Sequence, residues 1–256
     1  MKGLTGTGTM IRLILRRDRI RIPLWIVAIA GLILSSAASV IGVYATQEEL
    51  DAYASSVGSN PAVVAMNGPA YALDTIGGVV VYETTLIGVV GVALMSLLLV
   101  TRHTLAEEET GRAELVQSAV VGRHARLASS LIVVGLANLL LGLILAGGLT
   151  ALGLGVEGSV AYGFSMATLG LVFATLAAVS SQITEYGRAA AGLTGAAFGA
   201  AYVIRAAGDV GSGFLSWFSP IGWAQAMRAF GEERWWTLLL TFALAALLMS
   251  LAFVLE

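Results

Sequence analysis

The chain has 256 residues, 57% hydrophobic and 12% charged, with 31 glycines, 4 prolines and no cysteine. Soluble domains carry roughly 25% charged residues, so this composition excludes an ordinary soluble core and points to a polytopic helical membrane protein. The net charge of −2 says little because the charges are segregated, and the missing cysteines exclude a disulfide framework, a thiolate metal site and a cysteine nucleophile.

Residues 8–22, GTMIRLILRRDRIRI, come first. At helical periodicity Arg12, Arg16 and Arg19 share one face, and Ile11, Leu15 and Ile22 another. This pattern predicts a basic amphipathic helix lying on a membrane surface with its arginines among lipid phosphates. The arginines alternatively set topology by the positive-inside rule, and the two roles are compatible. The run abuts a membrane span, which excludes nucleic acid as its partner. Pro23 permits a turn into the bilayer. A cleaved signal peptide is not expected, since the following apolar run is too long for an h-region.

Spans of about 20 apolar residues cross a bilayer. Six are predicted, at 24–45, 79–100, 127–152, 159–183, 189–207 and 236–255. Alternating the segments between them places eleven Lys and Arg on the side of the termini and three on the other. Both termini are therefore expected in the cytoplasm, in a multi-pass plasma-membrane protein.

Two segments on the far side are too patterned for plain loops. Residues 46–78 begin with a helical stretch, QEELDAYASSV, followed by turn signals at Asn60-Pro61, Asn67-Gly68-Pro69 and Gly77-Gly78. Residues 208–235 carry Trp217, Phe218, Trp223 and Phe230 among glycines. Within them Ser219 is the expected N-cap of a short helix over 221–230. Aromatic density suits an interfacial or re-entrant segment; an ordinary amphipathic loop is the alternative. In the fifth span Gly192, Gly195 and Gly199 form a face that permits close helix approach.

The longest charged interruption is 101–126, TRHTLAEEETGRAELVQSAVVGRHAR. Thr104 with Glu107 three residues on reads as a capping box. Glu108 and Glu109 both reach Arg112 at helical spacing. Gly111 predicts a bend, and Leu115, Val116, Ala119 and Val120 give the second piece an apolar side. The segment is expected to be a two-faced helix at the cytoplasmic surface, where a soluble partner pushes on the bundle. Enzyme templates fail: there is no P-loop motif, the one lysine is Lys2, and HExxH is absent. His103 and His124 are expected to be loop histidines near headgroups, and the adjacent acids Glu107, Glu108 and Glu109 a solvated face, so no metal site is predicted. Charged and polar groups near or within spans are functional candidates. Glu83 and Arg205 could pair, line a vestibule or simply snorkel. Asn138, the clearest polar group at depth, is read either as helix–helix glue or as a substrate contact.

RHTLAEEETGRAELVQSAVVGR and SPIGWAQAMRAFGEERWWTLLL resemble the corresponding segments of actinobacterial antibiotic and polyketide exporter permeases, within the type 2 ABC exporter class. The resemblance covers essentially the whole chain. It implies an all-α, type V exporter fold over a single transmembrane domain, 1–256. That domain would have an elbow helix at 8–22, a coupling helix at 105–120 and a re-entrant segment at 208–235. It also implies no cofactor in this chain, with ATP and magnesium held by a separate cytoplasmic ABC ATPase dimer. The coupling residues would be Glu107, Glu108, Glu109, Gly111, Arg112, Glu114, Leu115 and Arg123. The substrate path would run between two six-span halves, lined mainly by the second and fifth spans, with Glu83, Asn138 and Arg205 the candidate pathway residues. Many such permeases carry both halves on one chain, so the present chain is expected to be an N-terminal half or a dimerising half-size subunit, the former preferred. The substrate would be a hydrophobic or amphipathic drug-like compound. A non-transporting membrane scaffold is the alternative class, and an ion-driven transporter ranks last because the mid-span regions lack acids.

Overall fold

A computed structural model describes residues 2–44, 46–58, 60–109 and 122–256, with the side chains of 2 and 106–109 excepted. Ten α-helices are described: α1 (Thr7–Arg17), α2 (Arg21–Val43), α3 (Gln47–Val57), α4 (Pro61–Asn67), α5 (Ile76–Glu109), α6 (Ala125–Ala151), α7 (Val156–Ile183), α8 (Gly187–Val210), α9 (Pro220–Gln225) and α10 (Thr237–Leu255). Six of them, α2, α5, α6, α7, α8 and α10, are long and apolar enough to cross a membrane. There is no strand among the described residues. The six expected spans are all present.

The bundle is organised around α7. Its apolar window is 83% buried, against 17% for α8 and α10, and it packs on α5, α6, α8 and α10. Short side chains let neighbours crowd it from every side. At Gly142 of α6 and Gly163 of α7 the backbones almost touch. A methyl group added to Gly142 would lie 2.6 Å from the Gly163 carbonyl oxygen, and one added to Gly163 would lie 2.3 Å from that of Gly142. Gly192, Gly195 and Gly199 meet nothing within 4 Å, so the glycine face expected to support close approach is uncovered in this chain.

Four local expectations are corrected. The helix predicted over 8–22 breaks after Arg17 and resumes at Arg21, which leaves Arg19 in the turn, off the face of Arg12 and Arg16. The buried stripe is Met10, Ile14 and Asp18, at successive spacings of four, rather than Ile11 and Leu15. The break falls where the Asp18 carboxylate turns inward to α5. Secondly, α5 does not stop at the end of its apolar run but continues to Glu109. Thr104 therefore sits in mid-helix, its Oγ1 2.9 Å from the Val100 carbonyl oxygen and 3.0 Å from Ser181 Oγ, and is no N-cap. Thirdly, Asn60-Pro61 starts a helix rather than a turn, with Ala62 N–H donating to Asn60 Oδ1 at 3.0 Å.

Fourthly, the helix begun by Ser219, whose Oγ accepts from Ile221 N–H at 3.2 Å, ends at Gln225 instead of Phe230. Arg228, Phe230 and Glu232 are left-handed, with φ of 52°, 66° and 41°, and cannot continue a helix. The reason lies in Phe230, whose ring fills the space beside Gly77 and Gly158 at the starts of α5 and α7. A capping box that the sequence reading did not name forms between Thr46 and Glu49 at the start of α3. Among the described residues of 46–75 and 211–236 there is no helix long enough to cross a membrane.

Gly163→Leu should lower stability by about 3 kcal/mol or prevent folding, since the added atoms meet backbone, whereas Gly195→Ala should leave it equal or raise it by up to about 1 kcal/mol. Thermal unfolding of the two variants in detergent, read by loss of monodisperse protein, separates these outcomes.

Candidate functional site

Charged groups gather at two ends of the bundle. One end carries residues 3–5, the Arg17–Arg21 turn, the C-terminal end of α5, the start of α6 and Glu256. At its centre lies Asp18, fully buried. Its Oδ2 is 2.6 Å from His103 Nε2, its Oδ1 accepts from Arg102 Nε–H at 3.2 Å, and Arg21 lies 3.5 Å away. One carboxylate thus joins the α1–α2 turn to α5, supplying the partner that a buried charge requires. His103 is 1% exposed and His124 Nδ1 lies 2.7 Å from Glu256 Oε2. His103 is thus not the loop histidine expected, because α5 extends far enough to bury it, whereas His124 caps the start of α6 and stays partly exposed.

Both roots of the 110–121 segment are fixed at this end. On one side α5 runs unbroken to Glu109. On the other, Gly122 N–H donates to the Thr5 carbonyl at 2.8 Å and His124 N–H to that of Gly3 at 2.9 Å. Of the expected coupling residues, Gly111, Arg112, Glu114 and Leu115 and the side chains of Glu107, Glu108 and Glu109 lie outside the described residues. Arg123 is exposed beside the second root, and Arg12, Arg16 and Arg19 are exposed as expected. A cavity of about 450 Å³ opens here between α2, α5 and α8, with Arg21, Arg102 and Arg188 in its wall.

The opposite end is tied by Arg205, 1% exposed. Its guanidinium donates to Asp209 Oδ2 at 3.2 Å and to the Met66 carbonyl at 3.1 Å, and stands over the Tyr202 ring at 4.4 Å. Ser216 Oγ donates to Asp209 Oδ1 at 2.5 Å. Arg205 is therefore neither snorkelling nor paired with Glu83. It binds α4 and the 211–219 segment to α8. Glu83 instead accepts a hydrogen bond from Tyr53 Oη. Burial, followed by the Glu83 hydrogen bond and charge, raises the Tyr53 phenol above its usual pKa. Glu83 also lines a cavity of about 470 Å³ with Ser35, Ser36 and Ser39 of α2.

Asn138 lies between these ends, 1% exposed. Its amide donates to Ser96 Oγ and to the Val134 carbonyl, both at 2.9 Å, and the side chain fills the space above Gly170. It joins α5, α6 and α7, which is the glue reading rather than contact with a cavity.

Sequence reasoning missed Asp18, hidden as the one acid among six basic residues. The signal available was its place four residues after Ile14 on the buried stripe. Tyr53 was missed because its partner lies 30 residues away.

Fold and charge placement define a multi-pass helical membrane protein, with six spans, buried ion pairs closing both ends and cavities between α2 and α5. No protein-family model matches the chain. It is 42% identical, over 252 residues and 98% of its length, to a multidrug efflux system permease protein of Mycobacterium tuberculosis, and it spans 46% of that relative. Over nearly its whole length the chain is thus similar to about half of a permease.

Asp18→Ala should cost about 2 kcal/mol, because it removes a close partner from the buried His103 and frees Arg102, which is partly exposed and recovers some hydration. A Tm compared with that of Arg19→Ala, expected to be unchanged, checks this. Tyr53 should add no tyrosinate absorbance as pH passes about 10, the ordinary tyrosine value. Spectrophotometric titration of Tyr53→Phe should then match the parent over that range, and a missing tyrosinate increment would contradict the assignment.

Proposed function

We propose that the chain is one six-span permease half of an ATP-driven efflux system that moves a hydrophobic or amphipathic compound out of the cytoplasm. The observation that carries this reading is the double anchorage of 110–121. A push on that segment acts on α5 directly through a continuous helix, and on α1 and α6 through the Gly122 and His124 main-chain bonds. Asp18 then passes the same motion to the α1–α2 turn. A device for transmitting force needs such stiff roots, whereas a topogenic loop does not.

The excess of Arg beside these roots supports a cytoplasmic position for that end, where a separate ABC ATPase dimer, holding ATP and magnesium, would dock on 105–120. A second six-span half, on the same or another chain, completes this reading and is supported by a relative about twice as long as this chain. The two cavities between α2 and α5 mark the path of the compound. Its cytoplasmic mouth is lined by Arg21, Arg102 and Arg188, and its far mouth by Glu83 with three serines. The plasma membrane is the expected site, with the α1 arginines among lipid phosphates.

The test is to purify the protein from its native membranes with any bound ATPase, reconstitute the complex, and measure compound-stimulated ATP hydrolysis and dye efflux. Glu109→Ala, Glu114→Ala and Leu115→Ala should each weaken docking roughly tenfold, about 1.4 kcal/mol, and lower stimulated hydrolysis while the bundle stays folded. Unchanged stimulation in all three would remove the coupling role. The absence of any ATPase in the complex would favour a scaffold.

A further inference from the structure

The end of the bundle opposite the termini holds a second cavity that the transport path does not use. It measures about 600 Å³ and lies between Pro69 and Tyr71 on one side and the 209–234 segment on the other. Two arginines, Arg228 and Arg234, line it. Arg228 stands over the Tyr71 ring at 4.4 Å, and its Nε is buried without a hydrogen-bond partner. Neither guanidinium has an ion pair among the described residues. The one carboxylate in the wall, Asp209, is already held by Arg205 and Ser216. Glu233, the next acid, turns away to accept from Phe230 N–H at 3.0 Å, and Glu232 is exposed. The cavity therefore carries an uncompensated positive charge.

Its rim is apolar. Phe214 and Trp217 border it, 64% and 40% exposed, and Trp217 stacks on Trp236 with ring centroids 5.6 Å apart. Exposed tryptophans beside arginines mark the depth at which a bilayer passes from headgroup to hydrocarbon. Arg228 is in addition held in a left-handed conformation, φ 52°, which is strained for a residue other than glycine.

We propose that this cavity binds the anionic head of an amphiphile, a phosphate or carboxylate, between Arg228 and Arg234, with its hydrocarbon chain leaving over Phe214 and Trp217. Arginine suits the role, since its planar fork of donors matches such oxyanions and a charge-assisted pair is strong in a partly dehydrated site. The ligand is either an anionic membrane lipid or a free amphiphile, and the chemistry of recognition is the same for both. The site is independent of the transport reading, for it needs neither an ATPase nor a second half.

The test uses the full chain in phosphatidylcholine nanodiscs, titrated with dodecyl phosphate and, separately, with the neutral dodecyl maltoside. Dodecyl phosphate should bind saturably and at least about tenfold more tightly, and Arg234→Gln and Arg228→Gln should each remove about tenfold. Arg234 is half-buried in a loop, so Arg234→Gln decides the matter if the Arg228 variant unfolds. A second arm adds phosphatidylglycerol to the nanodiscs and reads bound lipid by native mass spectrometry. Phosphatidylglycerol retained by the parent and lost from Arg234→Gln assigns the site to a lipid. Dodecyl phosphate binding without that enrichment assigns it to a free amphiphile. Equal affinity for the two dodecyl compounds, or undiminished dodecyl phosphate binding by Arg234→Gln, overturns the proposal.

Discussion

The near-contact of the Gly142 and Gly163 backbones is the constraint on which the bundle rests. In lipid there is no hydrophobic force pressing one apolar helix on another, so association depends on close packing and on polar contacts between helices. The glycine pair brings α6 and α7 together more closely than side chains allow. That approach places Asn138 of α6 over Gly170 of α7, within reach of Ser96 on α5. Three helices are thus fixed by one absence of side chains and one amide. The helices left at the periphery, α2, α8 and α10, are the least buried, and the ties at the ends add to their packing on α5 and α7.

The two ends solve one problem in different ways. Each must join irregular chain to the helix bundle, and each does so through a buried charged side chain held by several partners. At one end a carboxylate, Asp18, collects donors from α5. At the other a guanidinium, Arg205, donates to its own helix and to the end of α4. A buried charge with these contacts is costly to misplace, so each fixes the geometry of its end. The first joint is made with α5, the helix that runs on to the segment proposed to receive a push. The second holds the wall of the anion cavity, because Asp209 is neutralised there and leaves Arg228 and Arg234 unopposed.

The spans were legible because a run of about 20 apolar residues has few other uses. Their ends were less so. The α5 run stops being apolar near Thr101 but does not stop being helical, since Arg, Leu, Ala and Glu are good helix formers. Hydropathy marks a membrane boundary, not a helix boundary, and a capping box read into that stretch fell inside the helix. Arg205 with Asp209, four residues apart, could be paired from spacing. Tyr53 with Glu83 and Asp18 with His103 could not, since those pairs are made by the fold. Among 31 glycines the sequence does not distinguish Gly142 and Gly163, which carry a close approach, from Gly195 and Gly199, which face open space. The left-handed run from Arg228 to Glu232 was hidden because none of its strained residues is a glycine.

The joint between residues 3–5 and 122–124 is made by main-chain hydrogen bonds. It is consequently blind to most side-chain chemistry, and sequences can drift there without loosening it. What it does register is length. One residue inserted between Thr5 and Thr7 would slide the carbonyl groups past their donors, and a proline at Gly122 or His124 would delete a donor outright. Divergence at this joint should therefore consist of substitutions, with insertions and prolines selected against.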